Sequence, residues 1–342
     1  MHICHPTKKD VNIILRKMTN LYPLIFNGIY KDKLWGGQKL FSHLGKDISL
    51  RTRCGESWEL SGLPSDDSVV KHGALAGRSL SDLLRDYREI LIGKSLYARF
   101  GNRFPLLVKF IDAQDDLSIQ VHPDDVLAGM RHDSPGKTEM WYVIQADPGA
   151  TLIAGFNRPV SAALCRDRFA TGRIDDLLNR HPVAAGDVFF LPAGRVHAIG
   201  KGVLIAEIQQ ASDVTYRIHD YGRVDAHGRR RALETDNAIA ALDVGADQDC
   251  GIPYQEILNG PTRLVQCRHF TTDLLACSET VVRNYAFDSF VIHVCVQGSY
   301  AIDYGQGRLE VRRGDCVLIP AAIESVHLET ESGFKLLECF IV

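Results

Sequence analysis

Apolar and polar residues alternate over residues 117–122, with Leu117, Ile119 and Val121 interleaved with Ser118, Gln120 and His122. Period two predicts a half-buried strand that points Gln120 and His122 the same way. A second stretch, Gly186-Asp-Val-Phe-Phe-Leu-Pro-Ala-Gly-Arg-Val-His197, reads as a short apolar strand that stops at a Pro-Ala-Gly turn and then delivers His197. Between them, Lys137-Thr138-Glu139 opens another apolar run over residues 140–144. Residues 104–111 form an apolar strand interrupted by Lys109, and in the strand at 203–210 the side chains of Val203, Ile205, Glu207 and Gln209 share a face.

The period changes twice. Leu80, Leu83, Leu84, Tyr87, Ile90 and Leu91 follow helical spacing, which predicts a helix over 79–96 capped by Ser79 or Ser81. A second helical segment is predicted over 161–179. After a polar stretch at 220–249, short strands are predicted at 270–275, 290–296, 300–304, 309–311, 316–320 and 334–342, a spacing that suits an antiparallel sandwich or barrel. One stretch echoes another: Gly314-Asp-Cys-Val-Leu-Ile-Pro-Ala321 repeats Gly186-Asp-Val-Phe-Phe-Leu-Pro-Ala193, but its histidine, His327, comes two residues late. The pattern predicts a mainly β protein of two related barrels, the second degenerate. Residues 1–20 are expected to be a disordered extension, with Met18 as an alternative start. The first domain is expected over 21–248, with helical insertions, and the second over 249–342.

Composition narrows the partners. The chain has 342 residues, 45% hydrophobic and 24% charged, with a net charge of -3 and no long Lys/Arg block. Nucleic acid and anionic membranes are therefore not expected partners, and no apolar run approaches the roughly 20 residues of a membrane helix. Nine scattered cysteines, none in a Cys-x-x-Cys pair, read as reduced buried thiols of a cytoplasmic protein.

Two histidines, a carboxylate and a carboxamide near strand ends (His122, His197, Glu139 and Gln120) can make a mononuclear metal site with open positions. Two histidines and a carboxylate also hold non-haem Fe(II), so a dioxygenase is one alternative. A sensor that kept the barrel and lost turnover is another.

The segment Gly186-x5-Pro192-x-Gly194-x2-His197 resembles a motif of the cupin superfamily, the double-stranded β-helix or jelly-roll. With Gln120-Val-His122-Pro-Asp-Asp125, Lys137-Thr-Glu139 and Glu207-Ile-Gln-Gln-Ala-Ser-Asp-Val-Thr-Tyr-Arg217, the chain resembles the type I phosphomannose isomerases in their shorter bacterial form, from about residue 21 to 342. That resemblance implies two cupin-like jelly-rolls. It also implies one Zn²⁺ per chain, held by His122, Glu139 and His197, with Gln120 as a further ligand or its hydrogen-bonded neighbour. The implied reaction is the interconversion of mannose 6-phosphate and fructose 6-phosphate through an enediol, by a monomer or homodimer. Glu207 is the expected proton-transfer group, with Lys137 as its competitor. Lys137 and Arg217 are expected to stabilise the enediolate or grip the phosphate, and Asp213 to orient Arg217.

Overall fold

Alternation at 117–122 places its two sides in different surroundings. In the structure, a computed structural model that describes residues 21–48, 53–224, 227–245 and 250–342, the strand Ile119–Val121 lies in a five-stranded antiparallel sheet. The order of that sheet is Leu178–Pro182, Thr151–Phe156, His197–Ile199, Ile119–Val121, Tyr216–His219. Ile119 and Val121 pack outward with Ile153, Phe156, Ala198 and Ile218, against Cys165 and Ala238 of the helices Ala162–Ala170 and Thr235–Ala241. Gln120 takes the opposite face.

That face is opposed by a six-stranded sheet in the order Val188–Leu191, Glu139–Ala146, Val203–Gln210, Leu106–Ala113, Ile29–Gly37, Cys54–Leu60. Its inward side chains, among them Ile111, Trp141, Val143 and Ile205, form one core cluster with Leu152, Ala154 and Ile199 of the five-stranded sheet. Two antiparallel sheets therefore pack face to face around apolar residues at alternate strand positions.

The chain divides into two compact units. One comprises Gly28–Leu63 and Pro105–Tyr254; the other comprises the described residues up to Asn27 together with Pro64–Phe104 and Gln255–Val342. Residues 64–104 thus group with the C-terminal strands. Ala321 N and Ala322 N donate to Leu91 O and Ile90 O, and Leu24–Ile25 pairs with Cys316–Ile319. The expected extension at 1–20 lies outside the described residues, as do residues 246–249.

The helix expected over 79–96 is three short ones, Leu80–Tyr87, Glu89–Ile92 and Lys94–Phe100, with Ser79 capping the first by accepting from Asp82 N. It breaks where Arg88 and Gly93 take φ of 51° and 96°. A Cβ on Gly93 would lie 2.3 Å from Asp288 O, and the Asp288 carboxylate accepts from Lys94 N and Ser95 N at 2.8 Å each. Apolar spacing could not announce this cap from a distant loop. The segment at 161–179 likewise yields the helix Ala162–Ala170 and a 3-10 turn, Ile174–Leu177, before a strand begins. The expected strands at 290–296 and 300–304 are one, Val291–Asp303, while Pro261–Gln266, Val281–Asn284 and Ser325–Glu329 are additional.

The sequence echo has a structural counterpart. Gly186 N donates to Val143 O and Val143 N to Asp187 O; Gly314 N donates to Cys295 O and Cys295 N to Asp315 O. Asp187 accepts from Ala184 N and Asp315 from Arg312 N, each three residues back. Register extends the match: Leu191 faces Glu139 as Ile319 faces Val291, and Glu207 faces Trp141 as Glu338 faces His293. Both ladders skip one residue at a bulge, Ile144 in the first and Val296 in the second. At the matched positions Val291 replaces the Glu139 carboxylate, whereas a carboxylate persists at Glu338.

Glu338 is fully buried and accepts from Arg283 Nε (3.1 Å), Arg283 Nη2 (2.5 Å) and Tyr285 Oη (3.0 Å), with His293 Nε2 at 3.3 Å. Burial alone would raise its carboxyl, but His293 and Arg283 outweigh burial and hold it down at about 2, below the ordinary 4.5. A depressed carboxyl contributes stability that is present above pH 4.5 and is lost as pH falls toward 2. Glu338→Gln is expected to lower stability at neutral pH by about 3 kcal/mol, because Arg283 loses its counter-charge. It should also flatten the fall of Tm between those two pH values. Thermal melts across that range check this, and parallel curves for the two proteins would refute it.

Candidate metal centre

Strand register assembles the site. His197 and Arg217 both stand opposite Gln120 in the five-stranded sheet, so three polar side chains lie in a row across it. His122 follows at the end of the same strand. In the facing sheet Glu207 stands between Trp141 and Lys109 on its two neighbours, and Gln209 opposite Glu139.

The two imidazoles have assigned tautomers. His122 Nδ1 lies 3.0 Å from Val214 O and His197 Nδ1 lies 2.8 Å from Arg195 O, so each Nδ1–H donates to a carbonyl and each Nε2 keeps a lone pair. Those two lone pairs face each other at 3.1 Å. Glu139 adds oxygens 3.5 Å from His122 Nε2 and 3.4 Å from His197 Nε2. All three residues are buried, and Glu139 Oε1 has no hydrogen-bond partner among the described residues. Three electron-pair donors converging in a buried place repel one another unless a positive charge sits between them. Ligand atoms on a tetrahedron of radius about 2.1 Å are about 3.4 Å apart, so the observed spacings fit a small divalent cation. His122, Glu139 and His197 form a three-residue metal site.

Electrostatics agree with that assignment. Burial, then the charge of Lys137, pushes both histidines down, His197 to about 3, so both are neutral ligands at pH 7. Burial pushes the Glu139 carboxyl up to about 8 against the pull of Lys137, which leaves it short of positive charge. Gln120 Nε2 is 3.3 Å from His197 Nε2; the carboxamide can donate there or, turned over, present its oxygen to the same point.

Lys137 bridges this set to the proposed proton-transfer group. Its Nζ is 2.9 Å from His122 Nε2, 2.5 Å from Glu139 Oε2 and 3.8 Å from Glu207 Oε1. Glu207 Oε1 accepts from Trp141 Nε1 at 3.1 Å, and Oε2 lies 3.3 Å from Lys109 Nζ. Burial would raise the Glu207 carboxyl, but Lys137 and Lys109 together overcome it and hold it down at about 2. A cavity of about 240 Å³ opens here, lined by Gln120, Lys137, Trp141, Glu207, Lys109, Glu56, Arg217 and Arg231, with Asp213 exposed at its edge. Asp213, expected to orient Arg217, lines the same cavity. The Arg217 guanidinium itself donates to Ser118 Oγ and Ala232 O at 3.3 Å each.

Sequence reasoning missed the support around Glu207. Lys109 Nζ lies over the Trp58 ring at 4.8 Å, and Lys31 Nζ lies over the same ring at 4.8 Å. Glu56 accepts from Trp58 Nε1 at 2.7 Å and pairs with Lys33 at 2.9 Å. The one available signal was a lysine interrupting an apolar strand, because a buried ammonium needs carboxylates near it. The run Arg229–Arg231 reads in sequence as a solvated loop with phosphate attraction as its alternative; Arg231 is held by the buried Asp220 and lines the cavity.

Known proteins resemble this arrangement over most of its length. A family model, the catalytic domain of type I phosphomannose isomerase, matches residues 21–142. A mannose-6-phosphate isomerase of Streptococcus mutans is 39% identical over 309 residues, covering 89% of this chain and 94% of that protein. One from Bacillus subtilis is 35% identical over 310 residues, covering 90% and 96%. A crystal structure of a Bacillus subtilis mannose 6-phosphate isomerase superposes with a TM-score of 0.84 at 31% identity, covering 93% of this chain and 99% of that one.

If the convergent lone pairs are a metal site, cation binding must stabilise the folded chain. Protein stripped by chelator should gain Tm when divalent metal is returned, with about 2.7 kcal/mol of linkage at a free metal concentration of 100 Kd. His197→Ala should abolish that shift. Melting curves with and without metal decide the point, and an undiminished shift in the variant would move the site elsewhere.

Proposed function

The chain belongs to the type I phosphomannose isomerase family, and from that premise we propose that it interconverts mannose 6-phosphate and fructose 6-phosphate with one bound zinc. Two neutral imidazoles and one carboxylate are ligands that zinc takes, with open positions left for other groups. We place Gln120 as the fourth protein group at the cation. When bound, the cation supplies Lewis acidity at the sugar oxygens O1 and O2.

The observation that carries the reading is Glu207: a buried carboxylate, flanked by two lysines, at the wall of a cavity that also holds the metal-site neighbours Gln120 and Lys137. In the aldose-to-ketose direction its carboxylate takes the proton from C2 of the open-chain sugar, leaving an enediolate with its charge on O1. The O2 hydroxyl proton passes to O1, and the Glu207 carboxyl returns its proton to C1 as the C2–O2 double bond forms. Microscopic reversibility gives the same path in the other direction. Lys137, between the ligands and Glu207, offers N–H donors to the sugar oxygens as charge develops there. Arg217 grips the phosphate, for which its planar fork of donors is suited, and Arg231 adds charge in the same cavity. Asp213 contributes negative charge near Lys109.

Charge counting supports an anionic substrate. Glu56, Glu139 and Glu207 are matched by Lys33, Lys109 and Lys137. A divalent cation added to this balanced set leaves the pocket positive, which suits a sugar phosphate and its developing oxyanion. We also read the two units as cupin-like jelly-rolls, on the shared turn, register and bulge, with a metal site, among the described residues, in one of them.

Glu207→Gln is expected to lower kcat by roughly 10²–10⁴-fold while leaving metal content unchanged. Chelation should remove turnover of mannose 6-phosphate, and zinc should restore it. A coupled isomerase assay with metal analysis tests both. Near-normal turnover by the glutamine variant would take proton transfer away from Glu207.

A further inference from the structure

Lys137 stands at the centre of the site, yet it comes from a connecting segment between the helix Asp125–His132 and the strand Glu139–Ala146. Groups on connections are placed less accurately than groups on strands unless something holds the backbone. Here the backbone is held at three consecutive residues. Lys137 N donates to Pro123 O at 3.1 Å. Gly136 N donates to Asp125 Oδ1 at 2.9 Å, and Thr138 N donates to Gln210 Oε1 at 2.9 Å. The two side chains that receive these bonds are themselves joined, Gln210 Nε2 donating to Asp125 Oδ1 at 2.8 Å.

Gln210 acts as an extra rung of the sheet. Regular pairing between its strand and the Glu139 strand ends at Gln209 opposite Glu139. One residue further on, Gln210 N donates to Thr138 O at 3.1 Å while its side-chain oxygen accepts from Thr138 N, so the ladder continues after the backbone turns toward Pro105. Gly136 passes so close to the helix start that a Cβ would lie 2.6 Å from both Asp124 C and Asp125 N. The bridge therefore ties together the segments that deliver His122, Lys137 with Glu139, and Glu207. Neither Asp125 nor Gln210 lines the cavity.

We infer that the Asp125–Gln210 bridge is a positioning device that fixes Lys137 between Glu139 and Glu207, and so acts on the chemical step without touching substrate. The inference rests on the isomerase reading. An error of about 1 Å in such a group costs roughly 10²-fold in rate, whereas a bridge that only adds stability would change Tm and leave kcat alone.

The experiment uses the full-length, metal-loaded enzyme. Gln210→Ala should lower kcat by about 10–100-fold, with KM within about threefold and metal stoichiometry unchanged. Gln210→Glu sets a second carboxylate against Asp125 and should lose activity similarly. Asp125→Asn keeps an acceptor oxygen for Gly136 and should stay near wild type. A folded Gln210→Ala enzyme with wild-type kcat would overturn the inference. Should that variant fail to fold, a Gln210→Glu enzyme with wild-type kcat would overturn it. Wild-type protein with no turnover would sink the isomerase reading itself, and this inference with it.

Discussion

Everything at the site depends on two unprotonated imidazole nitrogens, His122 Nε2 and His197 Nε2, kept 3.1 Å apart beside a buried carboxylate. That contact is repulsive in the absence of a cation, and the fold supplies what holds it. Each imidazole is locked through its other nitrogen to a backbone carbonyl, which fixes both tautomer and ring orientation. Glu139 is tethered by Lys137. Burial makes the arrangement more demanding, because it removes the water that would otherwise screen the lone pairs. A site built this way is selective for a compact positive charge before any substrate is considered.

Around this centre the sheets convert sequence order into spatial order. Residues 120, 197 and 217 are remote in sequence and adjacent in register. Glu207 gains neighbours from strands on both sides, Lys109 and Trp141, and both contact its carboxylate. Antiparallel pairing leaves little freedom in such placements, since a one-residue slip would turn every ligand into the opposite face. The less regular parts need separate fastening: Lys137 hangs on side-chain hydrogen bonds and Arg217 on Ser118 and a carbonyl.

The ligand-bearing strands were legible because their chemistry is written in adjacent residues. Alternation at 117–122 and the turn before His197 are local signals, and the structure has strands at Ile119–Val121 and His197–Ile199. What escaped is non-local. The break at Gly93 answers to Asp288, nearly 200 residues away, which no periodicity in 79–96 could reveal. Lys109 was visible as an interruption, but its role needs Glu207 and Trp58, which only register brings beside it. The grouping of residues 64–104 with the C-terminal strands was hidden for the same reason, as was the acceptor of Arg217. The hydrogen bonds of Gln210 carry no sequence signature at all, since a glutamine at a strand end is ordinarily a surface residue.

Comparison of the two units separates what folding requires from what the site requires. The Gly-Asp turns at 186 and 314, the bulges that skip Ile144 and Val296, and the strand registers are shared, because they govern backbone geometry that any such sheet must satisfy. The charges are not. Where Glu207 faces Lys109, Glu338 faces Asp273; where Glu139 offers a ligand oxygen, Val291 offers a methyl group. A buried carboxylate left without its lysine must find another cation or be lost, and Glu338 finds Arg283, with Tyr285 and His293 completing its hydrogen bonds. In the C-terminal unit all four groups satisfy one another. In the other unit Lys137 contacts His122 Nε2 and Glu139 Oε2, but Glu139 Oε1 has no hydrogen-bond partner and the two imidazole Nε2 atoms face each other. That difference in satisfaction, more than any difference in backbone, separates the two units among the described residues.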